Sequence, residues 1–198
     1  IFVRGMEHLA CYGLHGVRKW LVRTEKQRTD IPLMLFKDGS VFAFLEATTS
    51  DRKSRAALYS PFGKEGDITT FTAYVTAAQE TRYGALLALQ GGGAGLCAVE
   101  DGKATSKWVT LSVTEKECPL VRLFADGEQA AFFFQRGKSL AVSLVSVKDG
   151  AKQSPYELGA CSLSALLHVS TQKRGICISD DSRALLFSPE GIIIWEAQ

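Results

Sequence analysis

The chain has 198 residues, 46% apolar and 22% charged, with 23 Lys and Arg against 21 Asp and Glu. That composition excludes disorder and collagen, and a net charge of +2 is too small for the concentrated basic face that phosphate-backbone binding needs. The longest apolar runs, Ala130–Phe134 and Gly191–Trp195, fall well short of the roughly 18 residues of a membrane span. The chain opens on Ile1 without a signal-peptide pattern, as expected of a piece excised from a longer polypeptide.

In chain order, Ile31–Lys37 and Val41–Ala47 are apolar-rich strands joined at Lys37-Asp38-Gly39, and Asp-Gly between two such runs is a strong hairpin signal. A third strand follows at Arg55–Ser60 and another at Phe71–Val75. Good helix formers then fill Thr76–Leu89, with Tyr83, Leu86, Leu87 and Gln90 along one face, and Gly91-Gly92-Gly93 stops the predicted helix. Pro119–Ala125 and Gln129–Gln135 form a second hairpin around Asp126-Gly127, and Ser139–Val147 continues the sheet. Ser154-Pro155 opens a second predicted helix reaching His168. A tail of short strands, Ile176–Ser179, Ala184–Phe187 and Ile192–Trp195, closes the chain.

The sequence repeats itself. Lys19-Trp20-Leu21 returns as Lys107-Trp108-Val109, and Leu35-Phe36-Lys37-Asp38-Gly39 as Leu123-Phe124-Ala125-Asp126-Gly127, both 88 residues later. Ala85-Leu86-Leu87 and Gly95-Leu96-Cys97 return 80 residues on, at Ala165-Leu166-Leu167 and Gly175-Ile176-Cys177. Two copies of one unit are expected: residues 1–90, a linker over 91–106, and 107–198, the second with an additional C-terminal hairpin. Several antiparallel strands followed by one helix in each copy give an α+β fold class.

A basic residue and Trp, then strand, Asp-Gly turn, strand, basic turn, strand and helix, over Val17–Ser60 and again over Ser106–Val147, resembles the polo box. Polo boxes come in pairs at the end of polo-like kinases, and the resemblance implies a tandem pair with a protein partner docked in the groove between the two units. It places Trp20 at the family's peptide-packing Trp, but Gly137 and Ser139 at the positions of the phosphate-holding His and Lys. Arg136 and Lys138 lie beside them, and a one-residue slip in a strand turns a side chain to the other face. The chain is therefore similar to the divergent boxes of centriolar polo-like kinases and of kinetoplastid kinetochore kinases. The resemblance implies a targeting module that docks a kinase-like parent on a nuclear kinetochore or centromere, or on a centriole, without the ordinary phosphopeptide clamp. Partner contact is expected at Lys19, Trp20, Trp108, Arg136 and Lys138, and the two tryptophans suit inter-unit packing as well as ligand contact.

Chemistry has little support in the residues. Cys11, Cys97, Cys118, Cys161 and Cys177 include no CxxC pair, and His8, His15 and His168 do not stand at zinc-ligand spacing, so buried thiols and no metal or cofactor are expected. No nucleophile, P-loop or kinase motif occurs, and Gly91–Gly95 lacks the Lys of a phosphate loop. The segment reads as non-enzymatic, with neither membrane nor nucleic acid as a partner. The alternative is a degenerate WD-repeat β-propeller scaffold, from turns spaced near 40 residues and from Val147–Gly150 and Gly191–Glu196, which resemble outer-strand endings. It would contain no helix.

Overall fold

A computed structural model describes residues 1–46, 53–91, 93–110, 120–160 and 168–197. The described residues form nineteen strands and no helix. They build five antiparallel sheets in which each strand pairs with its neighbour in sequence. The first sheet holds β1 (Phe2–Arg4), β2 (His8–Tyr12) and β3 (Arg18–Arg23). The second holds β4 (Met34–Leu35), β5 (Val41–Leu45), β6 (Arg55–Tyr59) and β7 (Glu65–Thr70). The third is β8 (Val75–Thr81), β9 (Gly84–Leu89), β10 (Gly93–Glu100) and β11 (Lys103–Thr110). The fourth is β12 (Leu120–Leu123), β13 (Gln129–Arg136), β14 (Ser139–Ser146) and β15 (Tyr156–Ala160). The fifth is β16 (His168–Gln172), β17 (Gly175–Ser179), β18 (Ala184–Phe187) and β19 (Ile193–Ala197).

The sheets stand side by side in order, with a separate core between each neighbouring pair. Leu9, Val41, Ala43 and Tyr59 fill the first core, and Phe42, Phe44, Ala85 and Leu87 the second. Leu86, Leu96, Ala130 and Phe132 fill the third, and Ala131, Phe133, Ile176 and Phe187 the fourth. Successive residues of a strand point to opposite faces, so β5, β9 and β13 each serve two cores at once. First strands meet first strands: β4 touches β8, β8 touches β12, and β12 touches β16. Side chains tie them together, as Leu35 N–H donates to Glu80 at 2.6 Å, Leu123 N–H to Gln79 at 3.1 Å, and the Thr171 hydroxyl to the Leu123 carbonyl at 2.6 Å.

This arrangement overturns the α+β expectation. Thr76–Leu89 is not a helix but the β8–β9 hairpin, turning at Arg82-Tyr83. Its 84–89 stretch, Gly-Ala-Leu-Leu-Ala-Leu, is almost fully buried because a core lies on both faces, and a continuous apolar run of good helix formers hides the period of two. Tertiary packing then overrides propensity. The second predicted helix is also absent where it is described: Tyr156–Ala160 is β15, and 161–167 lie outside the described residues. Residues read as a linker carry β10 and the start of β11, and the tail strands complete a sheet of the same build as the others.

The repeat has a structural meaning different from two boxes. The 88-residue offset spans two successive sheets: Trp20 and Trp108 sit on β3 and β11, the last strands of sheets one and three, and Val41 and Gln129 begin β5 and β13. Gly95–Cys97 and Gly175–Cys177 fall on a third and a second strand, so the 80-residue matches do not mark equivalent positions. Both Asp-Gly turns are present, with Gly39 at φ 83° and Gly127 at φ 69°.

Candidate interaction surface

In each four-stranded sheet the meander sends the first–second and third–fourth turns to one end and the second–third turn to the other. At the first of these ends, sheets two and three, with Leu123 of β12, frame a groove of about 960 Å³. Lys37 and Asp38 come from the β4–β5 turn, Glu80, Arg82 and Tyr83 from the β8–β9 hairpin, and Glu100 and Lys107 from β10 and β11. Leu35, Phe36, Val99 and Leu123 supply apolar wall.

The groove's charges are balanced and organised by pairing. Asp38 accepts from the backbone N–H and hydroxyl of Ser40 at 2.9 and 2.8 Å, which closes its turn. Lys107 pairs with Glu100, and Arg82 with Glu128 of the β12–β13 turn. Tyr83 Oη donates to the same Glu128 carboxylate at 2.9 Å, and Arg82 lies over the Tyr83 ring at 5.0 Å. Glu128 thereby joins sheets three and four at the groove's edge. The lining includes no His, Cys or Ser, and no cluster of metal-ligating side chains occurs among the described residues. Its one hydroxyl on an alcohol side chain, Thr81 Oγ1, donates to the Gly84 carbonyl at 2.8 Å and serves the hairpin.

The residues expected to contact a partner are not gathered here. Trp20 is half-buried, donates from Nε1 to the Pro61 carbonyl at 2.8 Å, and packs in the core between sheets one and two. Trp108 donates to the Val147 carbonyl at 2.9 Å and packs between sheets three and four. Both indoles occupy joints between sheets. Lys19 is exposed on β3. Arg136 and Lys138 flank the β13–β14 turn at the opposite end of the sheets, where Arg136 pairs with Glu157 at 3.8 Å. One structural residue escaped the sequence reading. Arg28, 5% exposed, donates to Asp30 at 3.0 Å, to Ser54 at 3.1 Å and to the Val75 carbonyl at 2.8 Å. Its guanidinium also lies 4.2 Å from the Tyr74 ring centroid. A charged side chain in a loop gives no sequence signal of such burial.

No family model matches the chain, and no curated protein sequence is similar to it. Solved structures are similar in fold. BamB from Moraxella catarrhalis superposes with a TM-score of 0.67 at 9% identity, over 98% of this chain and 60% of that one. A protein from Lactobacillus plantarum gives 0.61 at 14% identity, over 96% of this chain and 61% of that one. Kuenenia stuttgartiensis hydrazine synthase gives 0.61 at 8% identity, over 100% and 55%. The chain thus spans about 60% of the length of BamB. These neighbours and the absence of helix among the described residues overturn the polo-box resemblance, and with it the kinetochore and cell-cycle reading. The fold is that of a β-propeller: each four-stranded sheet is a blade, and β19 is an outer strand, whereas Val147–Gly150 is a turn rather than a strand ending.

Proposed function

We propose that the chain is a non-catalytic interaction module that binds a polypeptide segment in the groove framed by Lys37, Asp38, Glu80, Arg82, Glu100 and Lys107. The observation that carries this reading is the groove's make-up. Three cations and three carboxylates from two neighbouring sheets surround an apolar floor, and no nucleophile stands beside a general base. Such a surface suits a segment with interspersed charges and one or two apolar anchors, recognised without a phosphate. The paired charges also keep the groove in shape before a ligand arrives, which reduces the ordering cost of binding.

A displayed peptide library tests the reading. Selected peptides should lose at least tenfold in affinity when Lys37→Glu and Glu100→Lys are combined, and lose little with Lys138→Glu at the opposite end. Binders indifferent to the groove reversal would contradict it.

A further inference from the structure

A pocket of about 150 Å³ opens between sheets two and three, separate from the groove. Its floor is Leu87 and Leu89 of β9 with Gly95 and Cys97 of β10, all buried. Phe71, directly after β7, forms one wall, and Val109 of β11 another. Strands β7 and β11 both run away from the groove end, and Thr70 and Val109 stand at or next to their far ends. The pocket therefore lies towards the opposite end of the sheets. Thr70, Thr72 and Ser106 are exposed at its mouth, and their hydroxyls have no hydrogen-bond partner among the described residues.

The space exists because β10 brings a glycine to the middle of the cross-strand row Leu87–Gly95–Val109. A Cβ at Gly95 would meet only the Trp108 carbonyl oxygen at 3.6 Å and Val109 Cγ2 at 3.8 Å, both ordinary contacts. The backbone thus has room for a side chain that the sequence leaves out. Packed interiors seldom leave apolar space of this size empty, and the floor side chains offer a water no strong hydrogen-bond partner. An apolar cavity of roughly 150 Å³ takes one benzene-sized ring. The Phe71 wall narrows the class further. Its ring stacks on Phe44 at 5.8 Å between centroids and meets Phe42 edge-on at 6.5 Å. Those contacts hold the ring in place, so an aromatic guest adds one more member to an ordered cluster. No Lys, Arg, Asp or Glu lines the pocket, which disfavours a charged guest.

We infer that this pocket binds a small uncharged aromatic of one ring carrying a hydroxyl group. The ring rests on Leu87, Leu89 and Cys97 against Phe71, and the hydroxyl stays at the mouth, where the Thr70, Thr72 and Ser106 side chains both donate and accept hydrogen bonds. The site shares no residue with the groove and does not depend on a polypeptide binding there. A guest held between Phe71 and β9 touches both sheets, so its binding stabilises their joint.

Phenol, with cyclohexanol as its saturated counterpart, tests the inference on the full chain. Phenol should bind with half-saturation at or below about 1 mM and raise the melting temperature, and cyclohexanol should bind about fivefold more weakly or worse. Through-space NMR contacts should link the phenol ring protons to the methyl groups of Leu87 and Leu89. Saturating phenol should slow thiol labelling of Cys97 about threefold or more and leave the half-buried Cys177 of sheet five unaffected. Gly95→Val fills the pocket and should weaken phenol about tenfold or more. Gly95→Ala, with one methyl, should weaken it about threefold and replaces the valine variant if that one does not fold. Absence of saturable phenol binding, contacts only to other residues, or unchanged affinity in the folded Gly95 variant overturns the inference. Equal binding of cyclohexanol overturns the aromatic class.

Discussion

The indole of Trp20 occupies the space that a side chain at Gly63 would need: an added Cβ would come within 2.7 Å of the ring while its residue sat at φ 81°. The close approach lets the last strand of one blade reach the turn of the next and donate to the Pro61 carbonyl. Gly63→Ala therefore combines an unfavourable backbone with overpacking. Gly91, at φ 87° with nothing within 4 Å, isolates the backbone part. Gly91→Ala should cost about 1 kcal/mol, and Gly63→Ala about 1–3 kcal/mol more. Denaturant melts of both variants check this, and equal costs would show that the indole does not seat on the turn.

Arg28 ties the loop before β4 to the start of β8, so it should behave as a structural residue despite its charge. Arg28→Ala leaves the Val75 carbonyl without this donor and opens a gap beside Tyr74, and about 2–4 kcal/mol of stability should be lost. Arg28→Lys keeps the charge but not the fork that spans Asp30, Ser54 and Val75, and should recover less than half.

The same pair sets an acid response. The hydrogen bond from Arg28 holds the Asp30 carboxyl below its ordinary value, against desolvation, and the guanidinium charge adds a lesser pull in the same downward direction. A folded-state pKa below the unfolded one contributes stability above the unfolded value, and that contribution fades as pH falls through the folded one. Asp30 is largely exposed, so the effect is small. Asp30→Asn should flatten the melting-temperature profile below about pH 4 and leave its neutral arm shifted by a constant amount.

Burial pushes the Cys97 thiol up to about 11, and burial beside Glu65 raises Tyr59 as well. Raised folded-state values mean that the unfolded chain loses these protons first. Stability should therefore fall as pH climbs above the ordinary Cys range of about 8.5–9, with Tyr59 adding to the loss above about pH 10. Cys97→Ala should reduce the alkaline slope. Thiol labelling at pH 8 should reach the half-buried Cys177 well before Cys97, and equal rates would contradict the burial.

What the sequence disclosed and what it concealed follow from where the cores lie. The Asp-Gly turns at 38–39 and 126–127 and the strands beside them were legible, because turn chemistry is local. The 88-residue repeat was legible too, but its meaning was not: the sheets alternate in detail, so two adjacent blades together look like one unit. β8 and β9 were hidden, since Ala, Leu and Gln favour helix and a strand buried on both faces shows no alternation. The groove was illegible because its charges come from three hairpins, of two sheets, that lie far apart in the chain. The propeller alternative rested on turn spacing and on the ending at Trp195, and that ending does lie on an outer strand.

The sharpest test of the blade architecture lies in residues 76–89, where a helix and a hairpin give opposite patterns of short proton distances. Through-space NMR contacts across this segment should pair Gln79 with Leu86 and Glu80 with Ala85, and link Leu86 onward to Leu96 of the next strand. Contacts between residues three and four apart along 76–89, without the Leu86–Leu96 link, would restore the helix and contradict the propeller.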